Sequence, residues 1–477
     1  MPLNSFHSKR AETEALFFEG NRFLEAGNDL RAETCFTKAV QIAPEFAEAH
    51  ANLGFLLDKR GALDEAEASY RRSVRLAPAN PRTHLNFGAL LARRKRFQEA
   101  EASYWRAIAL GPVGGSAAGW SNLGMLYASI NREAEAERCL RTAMAQDQNY
   151  AKARFNLSYL LLRQGRFEEG WRCHDARKNS AALAQWLSCP RWRGETLAGK
   201  SILISIEAGH GDMIQFCRYA AVLKQRGAAS ISLLCHPGLK ALFASLKAVD
   251  TVISVVEEIT ESGWDFWIPA LSLPHYCHTR IDSIPARIPY LHAQPEHIAK
   301  WVPSIPQDGL RVALVWKGNP KFEYDPDRSL PSLEVLAPLW GVAGVHYISL
   351  QKGAGENEAA RPPEGQPLVE LGSRIVDFAD SAAIVASVDL VVCVDTAMAH
   401  LAGAMGRPCW VLLSAYMPDW RWLTGREDSP WYPKTMRLFR QPAIGDWQSV
   451  VERVGAELRA LRGEGQPPPI AVLGQTP

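Results

Sequence analysis

Between Val391 and Leu413 the only acidic, basic or imidazole side chains are Asp395, His400 and Arg407. A membrane span needs about 20 predominantly apolar residues, and Gly403, Gly406 and Pro408 break this stretch into shorter pieces. It reads as strand, turn, helix, strand. Asp395 and Thr396 follow the first strand and begin the helix, where both residue types are favoured caps. Free N–H groups and the helix dipole make such a start a place for an anion, and a diphosphate fits there. His400 lies one turn further on, on the face of Thr396, where it can hydrogen-bond a phosphate or sugar oxygen. The plainer reading keeps Asp395 as a cap and His400 as a satisfied core histidine.

The elements that must position these groups are short and apolar. After "RWRGETLAGK" the runs "SILISIEAG", "SISLLCHP", "TVISVV" and "WDFWIPAL", then "RVALVWKG", "VHYISLQKG", "DLVVCVDT" and "CWVLLSA", alternate with helix-length segments. Continuous apolar strands separated by helices imply parallel sheets covered on both faces. A Pro-bearing stretch, "HAQPEHIAKWVPSIPQDG", separates the two sets, so residues 190–302 and 303–463 form two doubly wound halves. Their ligand site is expected at the carboxyl ends of the strands, in the cleft between them. The segment "DWQSVVERVGAELRALRG" reads as a closing amphipathic helix, and the tail, residues 464–477, has little to pack.

The first third of the chain is repetitive. Asn52-Leu53-Gly54, Asn86-Phe87-Gly88, Asn122-Leu123-Gly124 and Asn156-Leu157-Ser158 recur, and a turn position follows each at Gly61, Lys95, Asn131 and Gly165, with Gly27 one period earlier. Ala66 and Ala100 allow close helix contact, Tyr70 and Tyr104 fill the space between hairpins, and Pro44, Pro78 and Pro112 close successive units. Composition adds exclusions. The 53 basic and 51 acidic residues nearly cancel, which gives no reason to expect nucleic acid or an anionic membrane as partner. Neither a signal-peptide-like start nor a transmembrane segment is read, so the expected location is cytoplasmic. Nine cysteines without a Cys-x-x-Cys pair suit buried thiols, and neither a structural metal nor a cofactor is expected.

The repeats resemble tetratricopeptide repeats over residues 11–179, helical hairpins that stack into an α-solenoid able to hold an extended partner. In the O-linked N-acetylglucosamine transferases, Asn at this repeat position forms a ladder along the groove. The resemblance implies the same for Asn52, Asn86, Asn122 and Asn156, whose amides can bond any peptide unit; the alternative is a structural Asn bonding within its own hairpin. "VDTAMAHLAGAMGRPCWVLL" resembles the signature of heptosyltransferase-like glycosyltransferases of the GT-B fold. "EAGHGDMIQFCRYAAVLKQRG" resembles their Gly-Asp loop, and "DRSLPSLEVLAPLW" their basic segment before a helix. With the repeats and "PDWRWLTGREDSPWYP", the whole resembles bacterial repeat-containing glycosyltransferases. The implied fold class is α + α/β, an α-solenoid followed by two Rossmann-like domains, acceptor side first and nucleotide-sugar side second.

Residue by residue, the resemblance implies Asp212 as general base, Arg328 as a phosphate contact, and Asp395, Thr396 and His400 as the donor diphosphate cradle. His210, where heptosyltransferases place a small or hydrophobic residue, shares or replaces the basic role. The other reading of Gly209 to Asp212 is a strand-to-helix turn with an Asp cap, and Arg328 has the alternative of a solvated ion pair with Asp325 or Asp327. Lys317 and Asn319 follow a strand and are further phosphate candidates. Gln351 and Lys352 lie where GT-B enzymes often meet the nucleotide base. Trp420, Trp422, Trp431 and Tyr432 either stack on sugar or base or pack between domains. The closing helix, in GT-B proteins, often returns to brace the first half. The implied activity is transfer of a sugar from a nucleotide-diphosphate donor to a hydroxyl, inverting and without a metal, with a protein or peptide acceptor in the repeat groove. The alternatives are a non-catalytic scaffold and a transferase acting on a glycan.

Overall fold

The computed structural model describes residues 3–112, 116–177, 187–257 and 263–463, and it parts into two compact units between Leu157 and Ser158. The 464–477 tail lies outside the described residues, as do the last residues of the 11–179 repeat stretch.

The first unit is built of helices α1 (Leu3–Glu25), α2 (Asp29–Ile42), α3 (Ala47–Arg60), α4 (Leu63–Leu76), α5 (Pro81–Arg93), α6 (Phe97–Leu110), α7 (Ala117–Ser129) and α8 (Glu133–Gln146). Helix α9 (Ala151–Arg163) crosses the boundary and α10 (Phe167–His174) follows it. Helices pair in sequence order, α1 with α2, α3 with α4, α5 with α6 and α7 with α8. The turn inside each hairpin takes one residue in the left-handed region: Gly27, Gly61, Lys95, Asn131 and Gly165 have φ of 72°, 87°, 58°, 62° and 77°. Glycine suits that position, and Lys95 and Asn131 hold it against the steric cost of a Cβ. The glycine of each Asn-x-Gly triplet lets the partner helix close in; a Cβ on Gly88 would lie 2.7 Å from the Tyr104 ring, and one on Gly124 2.7 Å from Leu140.

The second unit holds two wholly parallel sheets. Strands β1 (Ser201–Ser205), β2 (Ser230–Cys235), β3 (Thr251–Ser254) and β4 (Phe266–Pro269) run in the order β3-β2-β1-β4. Strands β5 (Leu310–Val315), β6 (Val345–Ser349), β7 (Leu368–Glu370), β8 (Leu390–Val394), β9 (Cys409–Leu413) and β10 (Met436–Arg440) run in the order β10-β9-β8-β5-β6-β7. The strand order therefore reverses between β1 and β4 in the first sheet and between β5 and β8 in the second, the places where such sheets open a crevice for ligand. One continuous core joins the sheets, with Ile202 and Ile204 of β1 and Val391 and Cys393 of β8 all fully buried within it. Residues of α9 and α10, among them Leu162, Phe167 and Trp171, belong to the same core. The strands begin near residue 200, but the packing of this unit begins at Ser158.

The closing helix, Trp447–Leu461, is capped by Asp446 and buries Val450, Val451, Val454 and Leu458 against the core of the second sheet. It braces that half rather than the first, because its apolar face meets Leu336 and Leu339 of the segment after β5, and Gly455 lies 3.4 Å by its would-be Cβ from the Pro338 carbonyl.

Candidate active site

The loop after β1 carries Glu207 to Asp212 and turns into the helix His210–Phe216. Asp212 closes the turn on itself, accepting from the Gly209 N–H at 2.8 Å. Gly211 is the contact point. A Cβ there would lie 2.8 Å from the His400 ring and 3.3 Å from the Ala397 Cα, so only glycine lets this helix start touch the start of the helix Ala397–Ala404 after β8. The two stretches that the sequence places in different halves are thereby brought together at the two switch points.

Thr396, not Asp395, caps the second helix, its hydroxyl accepting from the Met398 N–H at 3.3 Å. The Asp395 carboxyl is enclosed beside Trp422 instead. Burial, reinforced by the charge of Asp419, pushes its pKa up to about 6 against the pull of Arg328 and the Trp422 indole. His400 is enclosed: its ring stacks on Trp422 at 5.4 Å and 12°, and its Nδ1 is bonded to the Tyr432 hydroxyl at 2.9 Å. It is 6% exposed, and burial followed by the positive field of Arg421 holds its pKa well below the usual imidazole value. The structure thus uses His400 as the surface against which Gly211 packs.

The guanidinium of Arg421 bridges the halves. It is 6% exposed, ion-paired to Asp212, and paired to both Asp419 oxygens at 3.0 Å. Its Nε donates to the Gln215 side chain. Burial raises the Asp212 pKa, and Arg421 opposes that rise. Asp212 itself keeps 21% of its side chain exposed. Arg218 makes a second crossing, donating to the Trp431 carbonyl at 2.8 Å and the Tyr290 hydroxyl at 2.8 Å. Arg421, Asp419, Gln215 and Arg218 were not among the residues that spacing pointed to; the one signal was a charged pair set among tryptophans in "DWRW". The neighbouring aromatic residues form core, with Trp420, Trp422, Trp431 and Tyr432 at most 1% exposed, so they pack between the halves and offer no open face to a sugar.

Residues 347–420 match the family model glycosyltransferase family 9 (heptosyltransferase), and residues 19–81 and 121–170 match the tetratricopeptide repeat model. The chain joins tetratricopeptide repeats to a glycosyltransferase family 9 domain. Protein FlbA of Caulobacter vibrioides is 27% identical over 367 residues, a match covering 71% of this chain and 59% of that protein, so the chain spans less than two thirds of this curated relative. Among solved structures, Pseudomonas aeruginosa PilF is similar at 21% identity over 46% of this chain and 87% of its own, with a TM-score of 0.35. YrrB, described as a TPR protein with an unusual peptide-binding site, is similar at 16% identity over 39% of this chain and 95% of its own, with a TM-score of 0.31. The family 9 match takes in Gln351, Lys352, Asp395, Thr396 and His400, and ends just before Arg421.

His210, outside the stretch matched by the family 9 model, sits in a stack, 4.3 Å from the ring of His236 and 5.2 Å from that of Phe378. Burial and the neighbouring His236 push its pKa down to about 4, which keeps the ring neutral and makes it a weak proton acceptor near neutrality. Arg328 is partly buried, bonded to Asp325 at 3.0 Å and laid over the Phe322 ring at 4.4 Å. The ion pair with Asp325 is thus present, while the field of Arg328 still reaches Asp395.

Three of the weaker candidates lead elsewhere. Lys317 turns its ammonium to Glu358. Asn319 accepts from the Lys321 N–H at 3.1 Å, which makes it a turn residue. Gln351 is 1% exposed and wholly engaged: its oxygen accepts from the N–H groups of Trp316 and Lys317, and its nitrogen donates to the carbonyls of Lys317, Lys352 and Ala354. Lys352 is 52% exposed beside Glu356. In the repeats, Asn52 and Asn86 line a groove of about 680 Å³ together with Phe17, Asn21, Asn80 and Thr83. Asn52 donates to Asn21 at 2.8 Å, Asn156 is buried on Ser121 at 3.1 Å, and Asn122 is half-buried. Among the described residues no group of three or more His, Cys, Asp or Glu is placed to hold a metal, and no helix is long and apolar enough to cross a membrane.

Proposed function

We propose that the family 9 domain moves a sugar from a nucleoside-diphosphate donor to an acceptor hydroxyl at the junction of its two sheets, with inversion at the anomeric carbon. The observation that supports this most is the contact of Gly211 with Ala397 and His400, which sets a carboxylate from one half beside a helix start from the other. The diphosphate lies at that helix start, where the dipole and first-turn N–H groups favour an anion, with Arg328 alongside. As the acceptor oxygen attacks the anomeric carbon, the bond to the diphosphate breaks and its electron pair leaves with the phosphate. The acceptor's proton passes to Asp212, and the helix start and Arg328 stabilise the charge that develops on the leaving group. Asp395 is suited to this neighbourhood because its raised pKa lets it take up a proton as an anion approaches.

In the same reading the repeats present a protein or peptide acceptor along the groove containing Asn52 and Asn86, whose amides suit peptide units of any sequence. The test begins with purified full-length chain screened for donor turnover against a panel of nucleotide sugars. Asp212→Asn should lower turnover by about 10²-fold or more while donor affinity stays within about twofold; undiminished turnover removes Asp212 from the mechanism. Replacing Asn52 and Asn86 together by Ala should weaken modification of a protein acceptor and leave donor hydrolysis unchanged; equal modification of that acceptor removes these amides from its recognition.

A further inference from the structure

We propose that Arg421 is a positioning residue that holds and charges Asp212 from the opposite half of the site, with Asp419 competing for the same cation. The proposal deepens the transferase reading and rests on it for the role of Asp212 as base.

The geometry leaves Arg421 little freedom. One terminal nitrogen is on Asp212, the other on Asp419 at 3.0 Å, and Nε on Gln215, while the guanidinium lies 4.4 Å from the Trp420 ring and 5.6 Å from that of Phe216. Partners from both halves therefore fix a cation that is 6% exposed. Asp212 is held at both ends in turn, one oxygen by Arg421 and the other by the Gly209 N–H at 2.8 Å. A carboxylate offers about four lone-pair positions, so two bonds orient the group and leave acceptor capacity for a substrate proton. Asp212 and Gln215 share one short helix and Asp419 and Arg421 one short loop, so this single set of bonds also fixes how that helix meets that loop.

The charged and titratable groups facing Asp212 make the arrangement readable. From the loop after β9 come Arg421 and Asp419; from its own loop comes Glu207, itself paired with Arg177 at 2.6 Å; from α9 comes the partly buried Tyr159, which lies in the field of Asp419, Arg421 and Asp212. One guanidinium thus serves two aspartates. Removing the guanidinium must raise the proton affinity of Asp212, whereas removing Asp419 must lower it, both by taking away a neighbouring negative charge and by leaving Arg421 to Asp212 alone. A residue needed only for packing produces no such pair of opposite shifts.

The test is pH-difference infrared spectroscopy of the full-length chain, following the protonated-carboxyl band that Asp212→Asn deletes. Arg421→Gln should move the midpoint of that band upward by about one pH unit or more. Asp419→Asn should move it downward, and Arg421→Lys should return it most of the way to the parent value. Midpoints that stay put or move in the same direction overturn the proposal, as does the lack of any Asp212-dependent band in Arg421→Gln. If Arg421→Gln does not fold by circular dichroism, the downward shift in Asp419→Asn decides alone. The outcome is separable from the function above: undiminished turnover in Asp212→Asn would end its role as base while leaving these titrations to stand or fall on their own.

Discussion

Charge is handled differently by the repeats and by the second unit. In the repeats, Arg96 pairs with Glu99 three residues on and with Glu67 of the preceding hairpin, and Arg132 does the same with Glu135 and Glu101. These pairs recur with the repeat and stay in contact with water. The second unit adds pairs that are enclosed: Arg177 with Glu207, both side chains 7% exposed, and Arg421, 7% exposed, with Asp212 and Asp419. Screened pairs are interchangeable because solvent replaces a lost partner. A buried pair has no such replacement, and removing one member strands the other.

The hardest blow to that contrast comes from Arg177→Met. It leaves the Glu207 carboxylate buried without its bidentate partner, and the expected loss is about 3–5 kcal/mol. Urea unfolding of the full chain, followed by tryptophan fluorescence, should show a lower midpoint with most of the loss in the tryptophan-rich second unit. A loss under about 1 kcal/mol would mean that Glu207 finds water or Ser272 instead, and the distinction between the two regions would fail.

Next in size is the titration of Asp395. Its folded pKa of about 6 lies above the ordinary 3.8, so between those values the folded chain keeps a proton that the unfolded chain has released. Stability from this group is therefore present at low pH and declines as pH rises from about 4 to about 6, by about 3 kcal/mol in all. His210 works the other way: its folded pKa of about 4 lies below the ordinary 6.5, so its contribution is lost as pH falls through that window. Asp395→Asn removes the first effect and keeps the second. Unfolding free energies at about pH 4 and about pH 7 should show the variant gaining about 3 kcal/mol on the parent between the two, and parallel curves would show that Asp395 is not the buried acid described.

The same contrast explains what could be read in the chain. Every apolar run expected as a strand forms one, because strands covered on both faces have no reason to alternate. The two strands not anticipated are β7, three partly exposed residues, and β10, where Arg437 and Arg440 interrupt the apolar pattern at the edge of the sheet. Asp395 and Thr396 could be singled out because they directly follow β8, and Asp212 because it lies in the Gly-Asp stretch that opens the helix after β1. Arg421 could not be, since it lies in an aperiodic segment between β9 and β10 and meets a partner 209 residues away. Gln351 misled for the converse reason: its position after β6 is that of a ligand contact, but its amide closes the loop after β5.

Glycine substitutions compare the regions at a smaller scale. Gly211→Ala and Gly88→Ala both place a Cβ under 3 Å from a ring, that of His400 in one case and Tyr104 in the other. Each should cost about 1–3 kcal/mol through forced displacement. The consequences differ: Gly88→Ala loosens one hairpin contact among several alike and should leave donor turnover intact, whereas Gly211→Ala parts the two helix starts and should lower it by about tenfold or more, since small misplacements of reacting groups are costly. Equal turnover in the two variants would show that the close approach at Gly211 serves packing alone.

Arg96→Met should do least of all. Its side chain is 33% exposed, and its partner Glu67 keeps Arg71 at 2.8 Å and Arg94 at 3.0 Å when Arg96 is gone. Glu99 retains Arg71 at 3.2 Å. No carboxylate is stranded, since Glu67 keeps two arginines and Glu99 is 48% exposed, so the thermal midpoint should match the parent within measurement error at low and at physiological salt. A shift comparable to that of Arg177→Met would mean that the ladder of pairs along the repeats acts as one cooperative network, with each arginine as indispensable as those buried in the second unit.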